Sequence, residues 1–127
     1  MLAQAALDRG DQVVATARDP VTLPDIAKAF PKTARTTALD VTKAGAREKA
    51  VALAMDAFGR LDVPVNNAGF GFIGAIEEAT PEEYRPMFET NIIGLPETTR
   101  AALPALRKTG AGGCIVNMSS GAGIQSM

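Results

Sequence analysis

The feature that most constrains this chain is an alternation of period. Short apolar, often β-branched runs recur between longer stretches that carry apolar residues at helical spacing, and each run ends in polar or charged residues. Gln12-Val13-Val14-Ala15-Thr16-Ala17 runs into Arg18, and Thr36-Thr37-Ala38-Leu39-Asp40-Val41 carries Asp40 at its carboxyl end. Asp62-Val63-Pro64-Val65-Asn66-Asn67-Ala68-Gly69 finishes in two amides and a small pair, and Cys114-Ile115-Val116-Asn117-Met118 leads into Ser119-Ser120-Gly121. Regular alternation of strands with helices predicts a parallel sheet covered by helices on both faces. Ligands of such sheets bind just outside the carboxyl ends of the strands. The four polar ends therefore predict a site along one sheet edge.

The intervening stretches supply the helices. Met1 to Gly10 contains good helix formers and ends in a glycine suited to the position past a C-terminus. Asp19 with Pro20 predicts a capped start for a helix to about Phe30, with Leu23, Ile26, Ala27 and Phe30 on its apolar face. Thr42 is the expected cap of a helix over residues 43–58, where Ala50, Leu53, Ala54, Ala57 and Phe58 share a face. Thr80-Pro81-Glu82-Glu83 has the form of a capping box with proline at the first helical position. It opens a long helix whose stripe runs through Tyr84, Phe88, Ile92, Leu95, Thr99, Leu103 and Leu106, before Gly110 to Gly113 ends it. Pro24, Pro86 and Pro96 fall inside apparent helices, and Pro64 falls inside an apparent strand, where it removes a ladder bond.

Composition narrows the chemistry. With 127 residues, 46% of them hydrophobic, the chain is one domain's worth, and a core of ordinary size is expected. A net charge of -1 with both signs spread along the sequence gives no footprint for nucleic acid or an anionic membrane. The lone Cys114 forms no internal disulfide, and the lack of histidine removes the usual zinc sets and any nucleophile activated by histidine. No metal is expected. No run approaches the roughly 18 apolar residues of a spanning helix, so a cytoplasmic location is the expectation. Acid–base chemistry falls to carboxylate, lysine or tyrosine, and Tyr84 is the only tyrosine.

Three features carry competing readings. Gly69-Phe70-Gly71-Phe72-Ile73-Gly74 matches the spacing of a dinucleotide-binding turn, yet the next helix opens only at Thr80-Pro81, so the match is read as a decoy. Asn91 lies among Phe88, Ile92 and Leu95 on the apolar face of the long helix and should be buried or nearly so; it serves either helix packing or a site. Arg18 is either a surface residue or a ligand for phosphate, which guanidinium grips bidentately.

Taken together, Asp40-Val41-Thr42, Leu61-Asp62-Val63, Val65-Asn66-Asn67-Ala68-Gly69, Glu89-Thr90-Asn91 and Ile115-Val116-Asn117-Met118-Ser119-Ser120 resemble, in order and spacing, the short-chain dehydrogenase/reductase (SDR) family. The resemblance covers essentially all of residues 1–127. It implies a partial NAD(P)-binding Rossmann domain: a Rossmann-like, doubly wound parallel α/β sheet with helices on both faces, lacking the first strand and the C-terminal strands. It implies an oxidoreductase that moves hydride between a nicotinamide cofactor and a small carbonyl or secondary alcohol substrate. By the same resemblance Asp40 and Val41 contact the adenine ring, and Asn67, Ala68 and Gly69 form the cofactor-side strand end. Asn66 is the structural residue that stabilises the central sheet. Asn91 holds a water in the proton relay, and Ser120 hydrogen-bonds the substrate oxygen. Where an acidic residue would grip a free ribose hydroxyl, the chain has Thr16-Ala17-Arg18, so NADP(H) is favoured over NAD(H).

The departures are equally definite. The family's glycine-rich phosphate turn belongs before the first helix, and its catalytic tyrosine and lysine belong beyond Ser120; Tyr84 does not match that position and is read as a core residue. The expectation is either an NADP(H)-dependent oxidoreductase or an inactive piece of one. The alternative is a non-catalytic interaction module that pairs with a full-length relative, or with itself as a homo-oligomer, through helix 81–106. The missing first strand would also leave two half-sheets with unpaired inner edges. The substrate is not encoded in these residues.

Overall fold

In the computed structural model, which describes residues 2–23, 25–110 and 112–121, the alternation becomes structure. Helix α1 (Leu2–Asp8) leads to strand β1 (Val13–Ala17), then a 3-10 turn at Pro20–Thr22 and a single-turn helix α2 (Ile26–Ala29). Strand β2 (Ala34–Ala38), helix α3 (Ala44–Phe58), strand β3 (Val65–Asn66), helix α4 (Pro81–Phe88), a π-helical segment (Glu89–Ile93), helix α5 (Gly94–Thr109) and strand β4 (Val116–Asn117) follow.

The sheet is in two pieces. β1 pairs in parallel with β2, with Val13 opposite Ala34 and Ala17 opposite Ala38. β3 pairs in parallel with β4, with Val65 opposite Val116. Among the described residues no strand joins the pieces, the division expected when a doubly wound sheet lacks its first strand. α1 packs on β1 and α2 on β2, while α3 packs on β1 and β2, α5 on β3, and α3 and α5 on each other. The α3–α5 contact is therefore what bridges the halves.

Buried apolar residues are few and small. Leu7, Ile26 and Ala34 form a cluster with Ala3, Val13 and Phe30 packed around it. Elsewhere Val41, Ala54, Ala102, Ala105 and Leu106 are buried, so the core is thinner than the composition suggests.

Several local expectations change. The helix expected from Pro20 to Phe30 is broken into the 3-10 turn and α2. Leu23, the residue before a proline, is extended at ψ 135°, because a following proline disfavours the helical region. Asp19 still caps, its carboxylate accepting from the Val21 N–H at 3.0 Å. Pro24 lies outside the described residues. β2 starts earlier and stops at Ala38, leaving Asp40 and Val41 in the turn that follows. Thr42 does not cap α3; its hydroxyl is committed to Asp40 at 2.7 Å and Lys43 takes the cap position. α3 ends as expected, with Gly59 left-handed at φ 73°, a conformation that only glycine adopts without strain.

Pro64 immediately precedes β3 instead of lying inside it. The Cys114, Val116 and Met118 N–H groups donate to the Asp62, Pro64 and Asn66 carbonyls at 2.9, 3.0 and 3.0 Å. In a parallel ladder each residue bonds to the two flanking its partner, so the donor owed to the Cys114 carbonyl is residue 64, which has no N–H. The long helix is also interrupted. Gly94 donates to the Glu89 carbonyl five residues back, and Pro96 follows. A widened turn relieves the clash between a helical proline ring and the carbonyl four residues earlier.

Candidate active site at the strand ends

Each strand delivers its polar end as the alternation predicts. Arg18 and Asp19, after β1, line an open pocket with Ala17 and Thr22. Asp19 is occupied by its cap, whereas Arg18 is exposed and makes no ion pair among the described residues. Asp40, after β2, accepts from the Thr42 N–H at 2.9 Å and the Thr42 hydroxyl at 2.7 Å through one oxygen, Oδ1. These two bonds hold its carboxyl below the usual carboxylate range, opposed by partial burial and assisted by Lys43 and Arg18. Val41 is buried against Gly94, where a Cβ would lie 2.7 Å from Val41 Cγ2.

At the end of β3 the two asparagines divide their work. Asn66 donates from Nδ2 to the Thr99 hydroxyl at 3.0 Å and to Asn117 Oδ1 at 2.8 Å, tying β3 to both α5 and β4. Asn67, Ala68 and Gly69 are exposed beyond it. Asn91, half-buried in the π-helical segment, clamps this strand end. Its Oδ1 accepts from the Phe70 N–H at 3.1 Å and its Nδ2 donates to the Phe70 carbonyl at 2.8 Å. A Cβ on Gly69 would sit 3.2 Å from Asn91 Oδ1, so the glycine allows the amide to approach. π-turns occur preferentially at functional positions. Val41, Asn66, Ala68, Thr90, Gly94, Leu95 and Thr98 line one small cavity, which joins the Asp40–Val41 turn to the β3 end.

Ser120 is exposed after β4, past the exposed Ser119. Tyr84 is half-buried and stacks edge-on against Phe88 with ring centroids 6.4 Å apart. The decoy glycines lie in an irregular loop, and no helix opens until Pro81. Among the described residues no group of three metal-ligating side chains forms, and no helix is long and apolar enough to cross a membrane.

One important residue was missed from sequence. Arg47 on α3 is 8% exposed, donates to the Val41 carbonyl at 2.7 Å and reaches Glu97 of α5 at 3.3 Å. The signal for it was its helical spacing to Ala50 and Ala54, which puts a cation on the apolar face of α3.

The family model for short chain dehydrogenase matches residues 1–127. The chain belongs to the short-chain dehydrogenase family. It is 38% identical over 112 residues to an oxidoreductase, BOA17, of Botryotinia fuckeliana, covering 87% of this chain and 41% of that protein. It superposes on a short-chain dehydrogenase from Streptomyces avermitilis with a TM-score of 0.87 and 42% identity, over 98% of this chain and 46% of that one. It superposes on the closed form of a serine dehydrogenase complexed with NADP+ with a TM-score of 0.88 and 28% identity, over 99% of this chain and 51% of that one. The chain thus spans about half the length of these family members. The described residues have the family's Rossmann-like doubly wound architecture in two half-sheets, and one of the structures they match is an NADP+ complex.

Proposed function

We propose that these residues form the adenosine-side half of an NADP(H)-dependent oxidoreductase that transfers hydride between nicotinamide and a carbonyl or secondary alcohol. The observation that carries this reading is the reciprocal Asn91–Phe70 pair, which fixes the Asn67–Gly69 strand end beside the Asp40–Val41 turn. The residues present suit the cofactor. Gly69 and Ala68 leave the backbone approachable, and Asp40 keeps Oδ2 for a ring amine because Thr42 engages only Oδ1. Arg18 supplies a cation for a 2′-phosphate, since Asp19 is already turned onto Val21. The bound nicotinamide would supply the hydride. Asn91 would organise the proton path, and Ser120 would orient the substrate oxygen.

NADPH fluorescence titrations test the reading. NADPH should bind more tightly than NADH, and Arg18→Ala should weaken NADPH about tenfold with little effect on NADH, as expected for one charge-assisted phosphate contact. Equal affinity for both cofactors, unchanged by that substitution, would remove the NADP(H) assignment. The chain alone should not turn over substrate, because Tyr84, its only tyrosine, is packed on Phe88. NADPH oxidation above a Ser120→Ala control would refute this.

A second reading draws on exposed apolar residues of the α4–π–α5 helix. Phe88 and Ile92, expected in a buried stripe, are 53% and 58% exposed, and Ile93 beside them is 50% exposed. They fit association with a full-length relative or a second copy through helix 81–106. Co-purification that is abolished by Phe88→Ser with Ile92→Ser supports it, and a monomer under all conditions excludes it.

A further inference from the structure

Stability alone does not favour an arginine at position 47. It lies in the first turn of α3, where the helix macrodipole disfavours a cation, and it is 8% exposed, so its charge is largely desolvated. Its ionic partner among the described residues, Glu97, is 3.3 Å away on a side chain that is itself 38% exposed. The shorter bond runs elsewhere, from Nη1 to the Val41 carbonyl at 2.7 Å.

That carbonyl belongs to the peptide unit between Val41 and Thr42. The unit is planar, so fixing its C=O also fixes the direction of its N–H. The Thr42 N–H donates to Asp40 Oδ1 at 2.9 Å, and the Thr42 hydroxyl binds the same oxygen at 2.7 Å. A continuous path therefore runs from Glu97 on α5 through the Arg47 guanidinium and one peptide plane to the Asp40 carboxylate. The Val41 side chain meets α5 as well, at Gly94. The same helical stretch carries Asn91, which holds the β3 end through Phe70.

We infer that Arg47 is a positioning residue for base recognition: by orienting the Val41–Thr42 peptide it turns Asp40 Oδ2 toward the exocyclic amine of a purine. The inference rests on the adenosine-side reading of Asp40 and deepens it. The carboxylate so placed accepts from the amine of adenine and repels the carbonyl oxygen that hypoxanthine has in its place. An apolar side chain of the same size would fill the volume of Arg47 and leave the peptide plane free.

The test titrates the whole chain with NADPH and with its deaminated analogue, in which hypoxanthine replaces adenine, by dihydronicotinamide fluorescence. The unaltered chain should bind NADPH about tenfold more tightly than the analogue, as one charge-assisted bond gained or lost predicts. Arg47→Met should reduce that ratio below about twofold and leave the preference for NADPH over NADH, which rests on Arg18, unchanged. A general loss of folded protein weakens both ligands by one factor and does not move either ratio. An unchanged adenine preference in Arg47→Met overturns the inference and leaves the adenosine-side reading standing. No adenine preference in the unaltered chain overturns that reading, and the inference falls with it. Should Arg47→Met fail to fold, Glu97→Ala, which frees the guanidinium from α5, must lower the adenine preference by at least about twofold, and an unchanged preference overturns the inference.

Discussion

The two half-sheets differ in how they are held. β1 and β2 pair over five residues each and sit on the Leu7–Ile26–Ala34 cluster. β3 and β4 have only two residues each in regular pairing, and Val65, Val116 and Met118 remain 39%, 36% and 52% exposed. The first half stands largely on its own apolar packing. The second is held by polar ties, Asn66 to Thr99 and Asn117, and by α5 leaning on α3. The better-packed half carries Arg18 and Asp40 at its strand ends, and the weaker half carries the Asn67–Gly69 strand end, clamped through Phe70 by Asn91, and Ser120. A site spread across both depends on whatever joins them.

Arg47 is the strongest candidate for that joint, and its removal should have the largest effect. It donates to the Val41 carbonyl and Glu97 at once, and its Nε is buried without a partner among the described residues. Arg47→Ala should cost about 3 kcal/mol, since it removes two bonds from a buried cation and leaves the Val41 carbonyl unsatisfied. The loss should appear as unfolding of the β3–β4 half before the β1–β2 half in residue-resolved exchange. Arg47→Met should recover only the packing part of that loss, because it refills the volume but leaves the Val41 carbonyl and Glu97 without their donor. Identical losses for the two variants would mean that the polar joint, and not side-chain volume, couples the halves.

This contrast also explains what could be read from sequence. Local signals were legible. α3 ends at Phe58 as expected, and Glu83 reaches back to the Thr80 N–H at 2.9 Å. The polar strand ends and the split sheet also followed from patterns within a few residues or from the order of elements. The Arg47–Glu97 pair spans 50 positions, and no local pattern reports a partner so distant. The π-segment was hidden for a related reason. A stripe at helical period looks continuous whether or not one turn is widened, so Phe88 and Ile92 were expected to be buried with Leu106 and are not.

The next effect concerns the seam itself. A side chain at Gly94 would begin 2.7 Å from Val41 Cγ2 and 3.3 Å from the Glu89 carbonyl. Gly94→Val should therefore cost about 2 kcal/mol by overpacking, and it should push the Asp40–Val41 turn away from α5. Thermal unfolding with and without NADPH checks both parts. A variant that unfolds earlier but binds NADPH normally would separate the seam from the site.

Pro64 offers the opposite experiment, a repair of the weaker half. Pro64→Val restores the donor that the Cys114 carbonyl lacks and places a β-branched residue beside a parallel strand. One backbone bond contributes about 1 kcal/mol, partly offset by the greater freedom of the unfolded chain once proline is gone. The new residue 64 amide should itself exchange slowly. A fast amide there would show that the β3–β4 ladder is open on that timescale and that the missing bond is not the cause.

The smallest effect separates the halves by pH. Asp40 and Glu83 both have lowered carboxyl pKa values, Asp40 from its Thr42 bonds and Glu83 from the Thr80 N–H and then the Thr80 hydroxyl. A carboxyl whose folded value lies below its unfolded value stabilises the fold above the ordinary carboxylate range, and that stabilisation disappears as pH falls through the lowered value. Acid should therefore loosen the turn after β2 through Asp40 and the start of α4 through Glu83. Glu83→Gln should flatten the acid response of α4 amides and leave the Thr42 amide responsive, while Asp40→Asn should do the reverse. If either substitution flattened both responses, the two halves would be coupled more tightly than the α3–α5 contact and the Arg47 pair account for.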